Sequence, residues 1–272
     1  MNLIYGFLKG LLSVFSALTP LSYSGHDSLF RYLSFDLESG GYDSILPLTV
    51  KLAVIISISY FLKKDLVFLF KGAGSLLKNN KENSKELNLL YTVFAGGLVL
   101  LLMIPLRLLL KGIESVILIT ACGFFLSALY IIHGMRVKEK NLKESNESIL
   151  NGIIISFFKV LSVIPGISGF GGMYYGGLIS GVRREYAVKY AYLITLVWAV
   201  FSFIYELILN LSGGFVFNFG ILYYIGFFLG AVGIGGIAVY SVYKAIESKK
   251  MHWFIIYNVG IGILTLLILV RG

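Results

Sequence analysis

Two short polar segments interrupt long apolar stretches of this chain, and they hold most of its chemistry. Residues 20–26 read PLSYSGH, and residues 165–171 read PGISGFG. Ser22, Ser24 and Ser168 offer hydroxyl donors, while Gly25, Gly166, Gly169, Gly171 and Gly172 let backbone come close to a ligand. A helix that begins at such a segment exposes unpaired N–H groups and the positive end of its dipole, which suits an anion of phosphate size. Serine and glycine also serve close helix packing in membranes. The presence of both clusters, in corresponding places, favours the anion. His26 closes the first segment, either touching the ligand or hydrogen-bonded as a structural residue. Lys51 and Lys159 lie inside apolar runs, where an ionisable side chain is a functional candidate by default. Lys51 is close enough to the start of its run to snorkel to the interface, whereas Lys159 lies deeper. Glu206, late in its run, either pairs with a cation or reaches outward.

Other chemistry is not expected. No pair of carboxylates lies near either segment in the sequence, so neither a two-acid site nor a carboxylate-held metal site is expected from them. His26, His133 and His252 show no metal-ligand spacing. The single Cys122, in an apolar run, excludes a disulfide framework and a multi-thiolate metal site. Gly213-Gly214 and Gly235-Gly236 read as turn and packing signals.

The elements that carry these segments are set by hydropathy. Of the 272 residues, 57% are hydrophobic and only 14% charged, with mean hydropathy +0.86; soluble domains carry about 25% charged residues. The net charge of +9 sits in short loops and not along one face, which argues against nucleic acid as a partner. The first stretch lacks a basic lead and is not expected to be a cleavable signal. Apolar runs at 87–110, 114–134, 189–211, 219–240 and 252–270 are long enough to span a bilayer, and 46–62 is a shorter sixth. Stretches 3–35 and 150–181 are broken at their centres, and each arm is short, so both are expected to be re-entrant helical hairpins. Lysine and arginine cluster in 63–88, 135–149, 182–189 and 243–251, which are expected to be cytoplasmic loops, while 36–46 and 212–218 carry none and face outward. The expected fold is an all-α polytopic membrane protein forming a single membrane domain over 1–272. It comprises two inverted repeats, 1–146 and 147–272, each one re-entrant hairpin plus three transmembrane helices. Broken helices in an inverted repeat point to a substrate site between them.

The two segments, together with the residues C-terminal to the second, resemble the undecaprenyl pyrophosphate phosphatase family (UppP, also called BacA). In that family the first hairpin reads E-G-x-T-E-x-x-P-x-S-S-T-G-H, and the second reads P-G-x-S-R-S-G and then S-G-G and G-x-S-R-x-x-A. Pro20, Ser22, Gly25 and His26 match the first motif, and Pro165, Gly166, Ser168 and Gly171 the second. Gly176, Gly177, Gly181, Arg184 and Ala187 continue it in register. The resemblance implies the same two-hairpin fold, a polyprenyl pyrophosphate substrate, and a divalent metal in the family's active members. The family's catalytic positions are altered here. Its two glutamates fall on Ser13 and Ala17, its nucleophilic serine on Tyr23, its arginine on Gly169 and the next serine on Phe170, and the arginine of its last span on Asn258. The second segment is also similar to the tip motif of the polyprenyl-phosphate transporter family (PopT).

With nucleophile, arginine and carboxylates all replaced, hydrolysis by the family's mechanism is not expected. The resulting expectation is a bacterial plasma-membrane protein that grips the polyprenyl phosphate carrier without cleaving it, as a transporter or flippase, with no cofactor and with homodimerisation open. Ser22, Ser24, Gly25, His26, Gly166, Ser168 and Gly169 would contact phosphate, and Lys51 and Lys159 would neutralise it. One alternative is an undecaprenyl-diphosphatase using Ser22, Tyr23 or Ser24 with His26. Another is a small-anion symporter or a subunit of an envelope complex.

Overall fold

In a computed structural model, which describes residues 3–33, 43–77, 84–138 and 148–271, the chain is a bundle of twelve α-helices with no strand among the described residues. They are α1 (Leu3–Leu18), α2 (Tyr23–Tyr32), α3 (Ile45–Phe61), α4 (Lys63–Leu77), α5 (Ser84–Leu100), α6 (Met103–Leu109), α7 (Ile117–Arg136), α8 (Ile149–Val160), α9 (Gly169–Ile179), α10 (Arg184–Gly213), α11 (Ile221–Glu247) and α12 (His252–Arg271). Five segments are long and apolar enough to cross a membrane: Lys85–Leu109, Ile117–Arg136, Arg184–Gly213, Ile221–Glu247 and His252–Val270. The 17-residue α3 makes a sixth when taken with α4, which leaves it at a bend of 88°. The protein is a polytopic membrane protein.

Both broken stretches form helical pairs. α1 has 16 residues, a length of about 24 Å at 1.5 Å per residue, short of the roughly 30 Å hydrocarbon core. α8 is shorter still, at 12 residues. At each break the chain turns on a proline and restarts on a serine cap. Ser22 Oγ accepts from Gly25 N at 3.1 Å, and Ser168 Oγ accepts from Gly171 N at 2.9 Å.

Small residues let the helices approach. Gly6 and Gly10 of α1 face Gly226 and Gly230 of α11, and a Cβ on any of the four would collide with backbone of the other helix, the close approach that G-x-x-x-G spacing permits. α8 meets α5 in the same manner, through Gly152 and Gly96. The first arm of each broken stretch therefore packs on a long helix, α1 on α11 and α8 on α5, and α7 packs along α12.

Several loop boundaries are corrected. In 63–88, residues 63–77 form α4, where Gly72 lies against Glu86 of α5 and Ser75 is buried, while Lys64, Val67, Phe70 and Lys71 stay exposed. Residues 184–189 are the first turns of α10, so the charged segment there is mostly helical. Residues 243–247 close α11, and 135–136 close α7. Residues 36–42, 78–83 and 139–147 lie outside the described residues.

Candidate functional site

The two hairpin tips meet inside the bundle. A Cβ on Gly25 would stand 2.7 Å from Gly166 Cα, so the tips touch backbone to backbone. Gly166 has φ +88°, a conformation glycine adopts without penalty. Several polar groups in this joint pair with one another, as backbone at membrane depth requires. Ser22 Oγ donates to Ile167 O at 3.2 Å. Ser127 Oγ donates to Gly166 O at 2.8 Å and accepts from Ser168 N at 2.7 Å. From α12, Asn258 Nδ2 donates to Pro20 O at 2.9 Å. His26 is enclosed, with Nδ1 2.6 Å from Ser22 O and Nε2 2.7 Å from Tyr257 Oη. A carbonyl can only accept, so Nδ1 carries the proton and Nε2 accepts from the tyrosine.

Beside this joint lies a cavity of about 310 Å³. The first hairpin contributes Ser16, Ala17, Tyr23, Ser24, Asp27 and Arg31; α3 adds Lys51 and α6 adds Arg107. Lys159, Ser162 and Gly169 come from the second hairpin, and Trp198 and Glu206 from α10. Of the residues expected to contact phosphate, Ser24, Lys51, Lys159 and Gly169 line this cavity, together with Tyr23. Ser22, Gly25, His26, Gly166 and Ser168 instead build the joint behind it, their hydrogen-bonding capacity committed to capping and to tip-to-tip contact.

The charges are unevenly matched. Lys51 Nζ and Glu206 Oε2 form an ion pair inside the cavity, which answers both open questions: Lys51 does not snorkel and Glu206 does not reach outward. Arg31 Nε meets Asp27 Oδ2 at 3.1 Å, one helical turn away on α2. Lys159 has no ion-pair partner among the described residues. It stands at the start of α9, where a Cβ on residue 169 would come within 3.0 Å of both Lys159 Nζ and Ser162 Oγ. Position 169 is where the resemblance puts the family's arginine. A lysine reaching from the preceding helix thus fills that space with positive charge, and a larger residue at 169 would displace it.

Neither hairpin carries a pair of carboxylates in the cavity, but Asp27 lines it from the first hairpin and the fold brings Glu206 to it from α10. Hydroxyl, cation and carboxylate therefore share one cavity, the hydroxyls of Tyr23 and Ser24 from within the first motif and the cations and carboxylates from positions outside the motifs. The residues do not fit a divalent metal, however. The described residues contain no group of three or more His, Cys, Asp or Glu able to hold one, and both cavity carboxylates face cations. Arg31, Arg107, Asp27 and Ser162 were not singled out from sequence. Arg107 gave the clearest signal, an arginine within an apolar run, and the i, i+4 pair of Asp27 and Arg31 was a second.

A separate cavity of about 280 Å³ lies at the other end of the bundle, among Met135, Tyr174, Arg184, Ile246, Lys249 and Met251. Arg184 is committed there to the end of α7, donating to Gly134 O at 3.1 Å and Val137 O at 2.9 Å.

Residues 2–264 match the family described as bacitracin resistance protein BacA. An undecaprenyl-diphosphatase of Methanococcus vannielii is 30% identical over 72% of this chain and 73% of its own length. Undecaprenyl-diphosphatases of Prochlorococcus marinus (strain AS9601) and Corynebacterium glutamicum (strain R) are 27% and 25% identical, each over 96% of this chain and over 94% and 90% of their own lengths.

Proposed function

The chain belongs to the BacA family, and from that premise we propose that the cavity beside the hairpin tips holds the phosphate head of a polyprenyl lipid and that the chain hydrolyses undecaprenyl diphosphate. The observation that carries this reading is the Lys159 ammonium standing against Gly169, which keeps a cation at the second tip by a different residue. Opposite it, Ser24 and Tyr23 present hydroxyls from the first tip. In the reaction an oxygen of water, or of Ser24 with water acting second, bonds to the terminal phosphorus. The bridging P–O bond breaks, and lipid monophosphate and inorganic phosphate are released. Lys159 and the Gly169 N–H would stabilise the charge that develops, the kind of contribution worth about 100- to 1000-fold in rate.

A second reading, that the chain carries or flips the lipid monophosphate without cleaving anything, is favoured by one arrangement. His26 is closed on both ring nitrogens, which leaves the cavity hydroxyls without a neutral imidazole to take their proton. The packing of α1 on α11 and of α8 on α5 supports an inverted repeat, and the loop charges support a cavity open to the outer side.

The test is phosphate release from undecaprenyl diphosphate by purified protein in detergent, with and without magnesium or calcium, beside thermal stabilisation by undecaprenyl phosphate. Turnover that falls at least 100-fold in Lys159→Gln supports hydrolysis. Stabilisation without turnover transfers the conclusion to the carrier reading. Neither would overturn both and leave a small-anion symporter or complex subunit.

A further inference from the structure

After its ion pairs are formed, the cavity keeps two cations. Lys51 is matched by Glu206 and Arg31 by Asp27. Lys159 and Arg107 have no carboxylate partner among the described residues. Lys159, inside the second hairpin, is the costlier of the two, since an ionisable side chain within an apolar stretch is kept when something uses it. Arg107 is exposed near the end of its span and yet lines the same cavity as Lys159. Arg107 is on α6, which begins after a tight turn at Leu101–Leu102 held by i to i+3 hydrogen bonds. Arg107 stands one helical turn beyond Met103, and both residues line the cavity, as side chains four apart on one helix face do. α6 also packs against the 3-10 turn Leu161–Val163, which carries Ser162. Arg107, Lys51 and Lys159 thus line one cavity, and these like charges repel unless an anion lies among them.

We infer that Arg107 and Lys159 divide a diphosphate between them and that Arg107 selects diphosphate over monophosphate lipid. This rests on the phosphate-binding reading of the same cavity. Lys159, with the first N–H groups of α9, takes one phosphoryl group. Arg107 takes the other with its planar fork, which matches two phosphate oxygens at once. A monophosphate fills the Lys159 pole and leaves Arg107 unengaged.

The experiment measures affinity in detergent for two non-cleavable lipids, an undecaprenyl methylene-diphosphonate and an undecaprenyl monophosphonate, by thermal shift across a concentration series. The wild-type chain should prefer the diphosphonate. Arg107→Gln should weaken the diphosphonate roughly 10- to 100-fold and leave the monophosphonate within about twofold. Arg107→Lys should recover part of the preference, since it keeps charge but not the fork. Lys159→Gln should weaken both lipids alike. Equal loss of both lipids in Arg107→Gln, no loss of either, or no preference in wild type would overturn the assignment of Arg107. Failure of wild type to bind either lipid, or indifference of both to Lys159→Gln, would instead sink the underlying site.

Discussion

Replacing Lys159 with methionine should make the empty protein more stable and the lipid-bound protein less so. A lysine at the centre of a membrane helix costs about 2.5–3.5 kcal/mol on insertion scales. In this protein Nζ faces a polar cavity with Ser162 Oγ close by, so the relief on removing the charge is roughly 1–2 kcal/mol. Methionine has nearly the same length and shape, so little packing is lost. With about 2–4 °C per kcal/mol for a chain of this size, the midpoint should rise by about 2–8 °C. Lipid reverses the order. Undecaprenyl phosphate at 100 times its dissociation constant adds about 2.7 kcal/mol to wild type. Losing a charge-assisted hydrogen bond weakens binding by at least about tenfold, so at the same lipid concentration the variant gains only about 1.4 kcal/mol. Melting monitored by tryptophan fluorescence suits the question, because Trp198 is one of two tryptophans and lines the cavity. A variant that melts below wild type without lipid, or that gains as much from lipid as wild type does, would show Lys159 to be a structural residue and refute the reasoning.

Three further outcomes are expected. Gly166→Ala combines a φ of +88°, costing about 1–2 kcal/mol in an L-residue, with a collision of the new Cβ against Thr120 O; solubilised yield and melting midpoint should both fall sharply. Ser22→Ala removes the cap on Gly25 N and the bond to Ile167 O, so it should lose about 0.5–2 kcal/mol in thermal melts while keeping lipid stabilisation, unlike Lys159→Gln. Lys51→Gln strands Glu206. Because the pair is partly exposed, the cost should be below the about 3–5 kcal/mol of a fully buried one, and adding Glu206→Gln should recover most of it in a double-mutant melt.

Periodicity and length made the membrane fold legible, because each long apolar run has few ways to satisfy its backbone other than as a helix. The breaks at Pro20 and Pro165 were equally readable, since proline cannot continue a helix interior. What pattern did not show was α4, where lysines concealed an inward side that includes Gly72 and Ser75. At the site, residue type identified which side chains are chemically able but not which way they point. Ser22, Ser168 and His26 carry the right atoms and spend them within the joint. Lys159 was visible as a lysine in an apolar run, but its position beside Gly169 depends on the turn between α8 and α9. Arg107 was passed over at the end of a long span, and Glu206 is brought to the first hairpin only by packing of α10 on α3.

The most direct measurement is an experimental structure of the protein in lipid nanodiscs with undecaprenyl phosphate bound. Phosphate density within hydrogen-bond reach of Lys159 Nζ and the Gly169 N–H, with the lipid chain leaving the cavity, is the predicted result. Phosphate beside Lys249 in the cavity at the other end, or no lipid between the hairpin tips and Glu206, would contradict it.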